Sequence, residues 1–295
     1  MQAQGRAVAL GAGTVLNALA TGTGSAFAID AETTATVRLD DTGDVDGDVD
    51  DEPEADTRLV ERCVELVVEQ FGDGEGGHVH TESDVPMAAG LKSSSAAANA
   101  TVLATLDALD VGVSDDAGSD PDAAVSRVDA CRLGVRAARD AGVTVTGAFD
   151  DASASMLGGV TVTDNGVDEL RRRDERDWDV LVWTPPERAF SADAPVDRCE
   201  RVAPMADLVA ELALDGRYGE AMTVNGLAFS AALGFPTDPA VEAMPHAAGV
   251  SLSGTGPSVV AVGEERELER VRNHWNQREG TTWLTTTRTD GARTI

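Results

Sequence analysis

The chain contains little lysine, few cysteines and no long apolar run, and each shortage excludes a class of protein. Its 295 residues include 3 cysteines and no CxxC pair, so neither a disulfide framework nor a zinc site is indicated, and we expect a reducing, cytoplasmic location. No apolar run approaches the roughly 20 residues that a membrane-spanning helix needs. The GxxxxGK[ST] phosphate loop is also absent, which excludes a Walker-type nucleotide-binding protein.

Basic residues are scarce as well, because 23 arginines and lysines stand against 52 aspartates and glutamates, for a formal net charge of -29. Such a surface repels nucleic acid and anionic membranes, so we expect neither as a partner. The hydrophobic fraction of 42% is ordinary for a folded enzyme, which puts the acid on the surface, where salt screens it. Lys92 is the only lysine.

The segment 7–26 imitates a secretory signal, with Arg6 before it and an Ala-Phe-Ala triplet at its end. Its glycines and threonines interrupt the apolar stretch that a signal needs, so a structured segment is the better interpretation. We predict a short strand over Ala7–Leu10, a Gly/Thr-rich loop, and an alternating strand over Thr33–Leu39.

The acidic stretch 40–56 invites comparison with a calcium-binding loop. An EF-hand needs glycine at its sixth position and glutamate at its twelfth, whereas Gly47 is fourth when Asp44 is counted first. A solvated acidic loop is therefore predicted.

Hydrophobic periodicity further along predicts mixed helices and strands. Helices are predicted over 59–70, within 86–109, and over 121–140, 205–214, 218–233 and 264–275, and strands over 143–146, 160–163, 178–183, 258–262 and 282–287. The charged run RRRDERD at 171–177 is predicted to be a solvated connection, with an anion site as the alternative. The strand at 178–183 is the predicted start of a second lobe.

The segment PMAAGLKSSSAAANA (86–100) carries the strongest chemical signal. Gly90 permits a tight turn, and the serines at 93–95 put hydroxyls and unpaired backbone N–H groups at the start of an Ala-rich helix. Such a helix terminus attracts phosphate, and Lys92 adds a mobile positive charge. Helix capping alone explains one serine, not three in a row.

Two other segments bear candidate groups. SLSGTGPS (251–258), with Gly254 and Gly256, is either a structural turn before a strand or a second glycine-rich phosphate loop. TGAFDDASAS (146–155) offers Asp150 and Asp151, of which one carboxylate can face a substrate while the other caps a turn.

These segments resemble the signatures of the GHMP kinases. The pattern PxxxGLxSSxA is matched at Pro86, Gly90, Leu91, Ser93, Ser94 and Ala96, and SLSGTGPS resembles the third signature. A lysine after Gly-Leu, followed by three serines, is similar to the archaeal type of shikimate kinase, as is the opening GAGTVLNALATGTGSAFAID. The acidic, lysine-poor composition resembles that of haloarchaeal cytoplasmic proteins.

The resemblance implies an α+β fold of two lobes, 1–165 and 166–295, with the active site in the cleft between them. It implies that ATP phosphates bind to the loop and to the later glycines, at Pro86, Met87, Ala88, Ala89, Gly90, Leu91, Lys92, Ser93, Ser94, Ser95, Ala96, Gly254 and Gly256.

The catalytic groups implied by the resemblance are Asp151 and Lys92. Mevalonate kinases carry a catalytic aspartate in Gly-x-Asp-Asn-x-x-Ser, and the trailing Ser155 aligns that aspartate with Asp151, with Asp150 as the alternative. The lysine that accompanies it there would fall near Thr14, so the pairing is not expected here.

The family's magnesium carboxylate, about eleven residues upstream of the catalytic aspartate, falls on Asp140 in this chain. Ser94 of the loop is the second expected Mg²⁺ ligand, since magnesium needs only one or two protein oxygens beside phosphate.

The implied function is ATP-dependent phosphorylation of the 3-hydroxyl of shikimate in aromatic amino-acid biosynthesis. Homoserine kinase or a mevalonate-pathway kinase is the alternative among enzymes, and a non-catalytic GHMP-fold binding protein is the alternative outside them. The sequence leaves open which residues hold the substrate carboxylate and what the oligomeric state is.

Overall fold

A computed structural model describes residues 3–115, 124–144, 147–189 and 194–295. The described strands, in chain order, are β1 Ala3–Leu16, β2 Thr23–Asp40, β3 Val45–Val49, β4 Gly76–Ser83, β5 Val113–Ser114, β6 Val125–Ser126, β7 Val160–Asp164, β8 Glu169–Asp174, β9 Asp179–Thr184, β10 Gly249–Leu252, β11 Val259–Gly263, β12 Thr281–Thr286 and β13 Arg293–Thr294. The helices are α1 Arg58–Phe71, α2 Ser93–Ala108, α3 Arg127–Asp140, α4 Phe149–Leu157, α5 Val196–Cys199, α6 Ala203–Leu214, α7 Tyr218–Leu233, α8 Asp238–Ala243 and α9 Glu265–Trp275. The predicted α+β class is confirmed.

Two sheets organise the fold. The larger has seven strands, in the order β13-β1-β2-β4-β3, with β7 paired to β2 and β8 to β7. Helices α1, α2 and α4 pack against it, and α3 packs against these three helices. The smaller has the order β10-β11-β9-β12 and packs against α7 and α9. Among the helices of the described residues, none is long and apolar enough to cross a membrane.

The long hairpin of β1 and β2 lies at the centre of the larger sheet and corrects the prediction of two short strands joined by a loop. Small residues of 11–16 and 23–26 continue the strands on either side of the turn, where close partners leave little room for larger side chains. A Cβ added at Gly13 would lie 2.3 Å from the Phe27 ring on the paired strand. Phe27 and Ile29 extend into the core shared with the smaller sheet.

The acidic stretch 40–56 contains an edge strand, which corrects its prediction as a loop throughout. β3 pairs in parallel with β4, and this register sets Asp46 beside His78 and Asp48 beside His80. Asp48 bonds both imidazoles, at 2.7 Å to His78 and 2.8 Å to His80. Asp46 also bonds His78, and this hydrogen bond, with that of Asp48, raises the pKa of His78.

The arginine-rich run also forms a strand, β8, where a solvated connection was predicted. Its arginines are held by protein groups: Arg172 by Asp174 at 2.8 Å, and Arg173 by the carbonyls of Leu157 and Thr289 at 2.9 and 2.7 Å. These contacts favour a structural role for Arg172 and Arg173, and the anion site stays an untested alternative.

The other predicted helices and strands are present in the structure, apart from the strand at 143–146 and the start of the third helix. Val143 and Thr144 form no strand, and residues 145–146 lie outside the described residues. The third predicted helix begins at Arg127, where Ser126 caps it by accepting the Asp129 N–H at 3.1 Å, and residues 121–123 are not described. The elements that were not predicted are strands β4, β5, β6, β10 and β13 and helices α4, α5 and α8.

The division into lobes at 165 and 166 stays a prediction. Two strands from beyond that boundary, β8 and β13, pair within the larger sheet.

Candidate active site

A cavity of about 1080 Å³ lies where elements of the two sheets approach each other. Strands β1 and β2, the start of α2, the start of α4, the segment after β9 and the turn after β10 all contribute to its wall. Of the predicted phosphate-binding residues, those that line it are Pro86, Met87, Ala88, Ala89, Gly90, Lys92, Ser93, Ser94, Ser95 and Gly254. Leu91 and Ala96 are fully buried beneath them.

The start of α2 is built as an anion site. Lys92 is the N-cap residue in the left-handed conformation, at φ 68°, and no side chain caps the helix. The first intrahelical bond is donated by Ala96 to the Lys92 carbonyl, at 3.0 Å, so the N–H groups of 93–95 precede it. With no acid in the first turn, these donors and the helix dipole favour a bound anion.

The two glycine-rich segments form one structure. The Ser253 hydroxyl donates to the Gly90 carbonyl at 2.8 Å, and a Cβ at Gly90 would lie 2.2 Å from the Ser253 carbonyl oxygen. Gly254 donates its N–H to the Thr14 hydroxyl at 2.8 Å. Gly256 serves packing instead, since a Cβ there would lie 2.4 Å from the Phe235 ring and the residue does not line the cavity.

Lys92 reaches from this loop to the predicted catalytic segment. Its Nζ lies 2.7 Å from Asp151 Oδ1, and the exposed fractions of the two side chains are 5% and 20%. A lysine–aspartate pair is therefore present although the position expected for the lysine is occupied by Thr14. The ammonium comes from a different element and meets the carboxylate through space.

Asp150 lies behind this pair and is 5% exposed. Its carboxyl accepts a hydrogen bond from Asn165 Nδ2 at 2.7 Å. Burial, with the neighbouring charge of Asp151, raises the pKa of Asp150 to about 7, and the charge of Lys92 opposes this rise. The two adjacent carboxyls thus have different environments.

The structure does not bring Asp140 to the cavity. Its carboxylate lies at the outer side of α3, where it accepts from Arg62 Nε at 2.9 Å, and Arg62 also pairs with Glu65 and Glu69. Asp140 is a surface ion-pair partner in this arrangement, whereas Ser94 lines the cavity as predicted.

Two asparagines in the site were missed by sequence reasoning. Asn17 donates its amide to the Gly254 carbonyl at 2.8 Å and so holds the second loop to the end of β1. Asn165 bonds Asp150 from a position 15 residues away. Asn17 lies within the opening segment 11–30, whose resemblance gave it no role, and Asn165 belongs to none of the quoted segments.

Asp150→Asn is expected to raise the thermal midpoint, and to do so more at about pH 8 than at about pH 5. The folded pKa of Asp150 is raised, so the native state binds the extra proton between the ordinary carboxyl pKa and about 7, and stability falls as the pH rises through that window. The amide cannot ionise, and it retains the oxygen that Asn165 contacts. Thermal melting of both proteins at both pH values, in constant salt, checks this; an equal difference at the two values contradicts it.

Comparisons with known proteins identify the family of the chain. Residues 58–159 match the GHMP kinases N terminal domain. The chain is 66% identical to a shikimate kinase of Halobacterium salinarum, over 98% of this chain and 99% of that protein. It is 48% identical to a shikimate kinase of Methanococcoides burtonii, over 92% and 91%.

Solved structures with the same fold include a homoserine kinase from Cytophaga hutchinsonii, with a TM-score of 0.74 at 16% identity, covering 100% of this chain and 98% of that one. The galactokinase of Lactococcus lactis, solved with galactose, has a TM-score of 0.72 at 14% identity, over 99% and 95%. At these identities the likeness shows the fold alone.

Proposed function

The chain belongs to the archaeal-type shikimate kinases within the GHMP kinase family, and we propose that it transfers a phosphoryl group from ATP to the 3-hydroxyl of shikimate. It is an ATP-dependent small-molecule kinase. The observation that carries the assignment of the site is the Lys92–Asp151 pair, which lies at the phosphate-binding start of α2 inside a single cavity.

The ATP phosphates are assigned to the loop from Pro86 to Ser95. Its N–H groups at 93–95 are free of intrahelical partners, and the turns at Gly90 and Gly254 let a polyanion approach the backbone closely. Lys92 supplies the positive charge of this loop. These residues fit a triphosphate by donor type, charge and space.

Magnesium fits the site only in part. Mg²⁺, when bound, would neutralise phosphate charge, and Ser94 is the protein oxygen that we assign to it. Asp140 does not fit this role, because its carboxylate is engaged with Arg62 outside the cavity.

In the proposed reaction Asp151 accepts the proton of the attacking hydroxyl. Lys92 holds the Asp151 carboxylate in place, and its ammonium also faces the phosphate that is transferred. The positioning of the two substrates and the stabilisation of charge on phosphate supply most of the rate, with the base a smaller contribution. The product is shikimate 3-phosphate, which places the enzyme in the formation of chorismate and the aromatic amino acids. We assign it to the cytoplasm, with neither nucleic acid nor membrane as a partner.

The acceptor is tested by comparing shikimate with homoserine and mevalonate in one assay that couples ADP formation to NADH oxidation. We expect turnover with shikimate and only background rates with the other two. Preference for homoserine or mevalonate would reassign the acceptor within the same fold, whereas no turnover with any acceptor would favour a binding protein.

Salt is expected to stabilise the protein. With 52 acidic residues against 23 basic ones, carboxylate repulsion destabilises the folded state. This repulsion is screened when the Debye length falls to about 3 Å near 1 M salt. The thermal midpoint should therefore rise with potassium chloride through the molar range, and a flat or falling curve would contradict a halophilic adaptation without affecting the kinase assignment.

A further inference from the structure

A buried polar residue outside the family signatures contacts the catalytic segment. Asn165 follows β7 and is 3% exposed. Its Oδ1 accepts the backbone N–H of Asp150 at 3.1 Å and the Thr163 hydroxyl at 2.9 Å, while its Nδ2 donates to Asp150 Oδ1 at 2.7 Å. One side chain thus holds both the backbone and the carboxyl of Asp150.

This contact replaces a local cap for α4. The N-cap residue is Ala148, in the left-handed conformation at φ 53°, and its methyl group cannot accept a hydrogen bond. The first turn of a helix leaves N–H groups that need an acceptor, and Asn165 supplies one from another part of the chain. The position of this turn, which also carries Asp151, therefore depends on Asn165.

The orientation of the Asn165 amide is determined by its surroundings. A backbone N–H can only donate, so the atom facing the Asp150 N–H is Oδ1, and Nδ2 then faces the carboxyl. The other carboxyl oxygen of Asp150 packs on Gly24, where an added Cβ would lie 2.3 Å from Oδ2. The carboxyl is therefore confined on both sides.

Charged groups approach Asp150 and its clamp from three helices. Asp151 lies next to it on α4, and the positive charge of Lys92, at the start of α2, lowers the pKa of Asp150. Arg139 of α3 donates to the backbone carbonyl of Asn165 at 3.3 Å and pairs with Asp168 at 2.7 Å. Gly24 of β2 and Thr163 of β7 add neutral contacts.

We propose that Asn165 is a positioning residue for the reaction, an inference that rests on the phosphoryl transfer proposed above. By clamping the backbone and the carboxyl of Asp150, it fixes the first turn of α4 so that the Asp151 carboxylate meets Lys92 at the reacting hydroxyl. Asn165 also supplies the hydrogen bond that the carboxyl of Asp150 accepts.

Asn165→Asp tests this with little change of shape. The variant keeps an oxygen for the Asp150 N–H and removes the donor to the carboxyl. We expect kcat with shikimate to fall roughly 10-fold to 100-fold, the range seen for outer-shell partners of metal ligands, with KM for ATP nearly unchanged. The matched control is Asp164→Asn at the neighbouring residue, which alters the ion pair between the end of β7 and Arg171 of β8 and should leave kcat unchanged.

The pH profile separates positioning from a general loss of stability. Because Asp150 lies beside Asp151 and its pKa is raised to about 7, we expect its ionisation to give an inflection of kcat near neutral pH. An amide donor favours the ionised form of Asp150 and a second carboxylate disfavours it, so this inflection should move up by about one unit or more in Asn165→Asp. A residue that only supports the fold would lower the thermal midpoint without moving that inflection. An unchanged kcat and inflection in a folded variant would overturn the proposal.

A measurement on the wild type keeps the proposal testable if the variant fails to fold. The side-chain amide signals of Asn165 in a nitrogen-15 NMR titration should shift with the same midpoint as the inflection in kcat. Signals that do not respond to pH would overturn the proposal. The titration is made on wild-type enzyme that has been shown to phosphorylate shikimate. Failure of the Asn165 proposal can therefore be told apart from failure of the proposed function.

Discussion

Asp151→Asn is expected to lower kcat with shikimate by ~10² to 10⁴-fold, the typical contribution of a general base. The amide has nearly the shape of the carboxylate, so packing survives while the proton acceptor and its charge disappear. ATP binding should remain, and it should tighten slightly because a negative charge near the phosphates is lost. Steady-state kinetics and nucleotide titration on one preparation measure both effects.

Asp150→Asn is the matched control for this prediction, because it makes the same chemical change at the adjacent residue. Its effect on kcat should be milder, since Asp150 is held by Asn165 and is not the partner of Lys92. If Asp150→Asn is the inactive variant and Asp151→Asn is active, the catalytic role belongs to Asp150. If both stay active, another base or positioning alone carries the reaction.

Lys92→Met is expected to lower kcat by ~10² to 10³-fold, the loss typical when a group that stabilises developing charge is removed. The Lys92 side chain is 5% exposed, so methionine is a better test than alanine because it preserves most of the buried volume. Stability should change far less than turnover. Kinetics and thermal melting of the same preparation measure the two effects, and a variant with a normal rate would remove Lys92 from the mechanism.

Two further variants sharpen the role of Lys92. Lys92→Arg keeps the charge but replaces a compact ammonium with a planar guanidinium, so it should recover only part of the rate. The double variant with Asp151→Asn should lose much less than the product of the two single losses, because the residues act as a unit 2.7 Å apart. Fully multiplicative losses would show that they act independently.

The sequence predicted those parts of the site that are continuous in the chain. The segment from Pro86 to Ala96 combines glycine, serines and an Ala-rich helix within a few residues, and its consequence, a helix start with free N–H groups, is a local property. The Lys92–Asp151 pair could not be predicted, because the lysine leaves its expected position near Thr14 and the contact spans separate elements. The role of Asn165 could not be predicted either, because its contact with Asp150 also joins separate elements.

Two of the strands missed by periodicity, β3 and β8, are polar on both faces. β3 carries aspartates and β8 carries arginines, so neither shows the alternation of a half-buried strand. Their pairing depends on partners elsewhere, such as His78 and His80 for β3. A pattern confined to one segment does not contain that information.

The most direct test of the account is the identity of the phosphorylated product made by the purified wild-type protein from ATP and shikimate in high salt. Phosphorus NMR with proton correlation reports both the ester and the carbon that bears it. We expect one monoester, on the 3-hydroxyl, formed together with one ADP. ADP without an ester, or an ester on another hydroxyl, would contradict it.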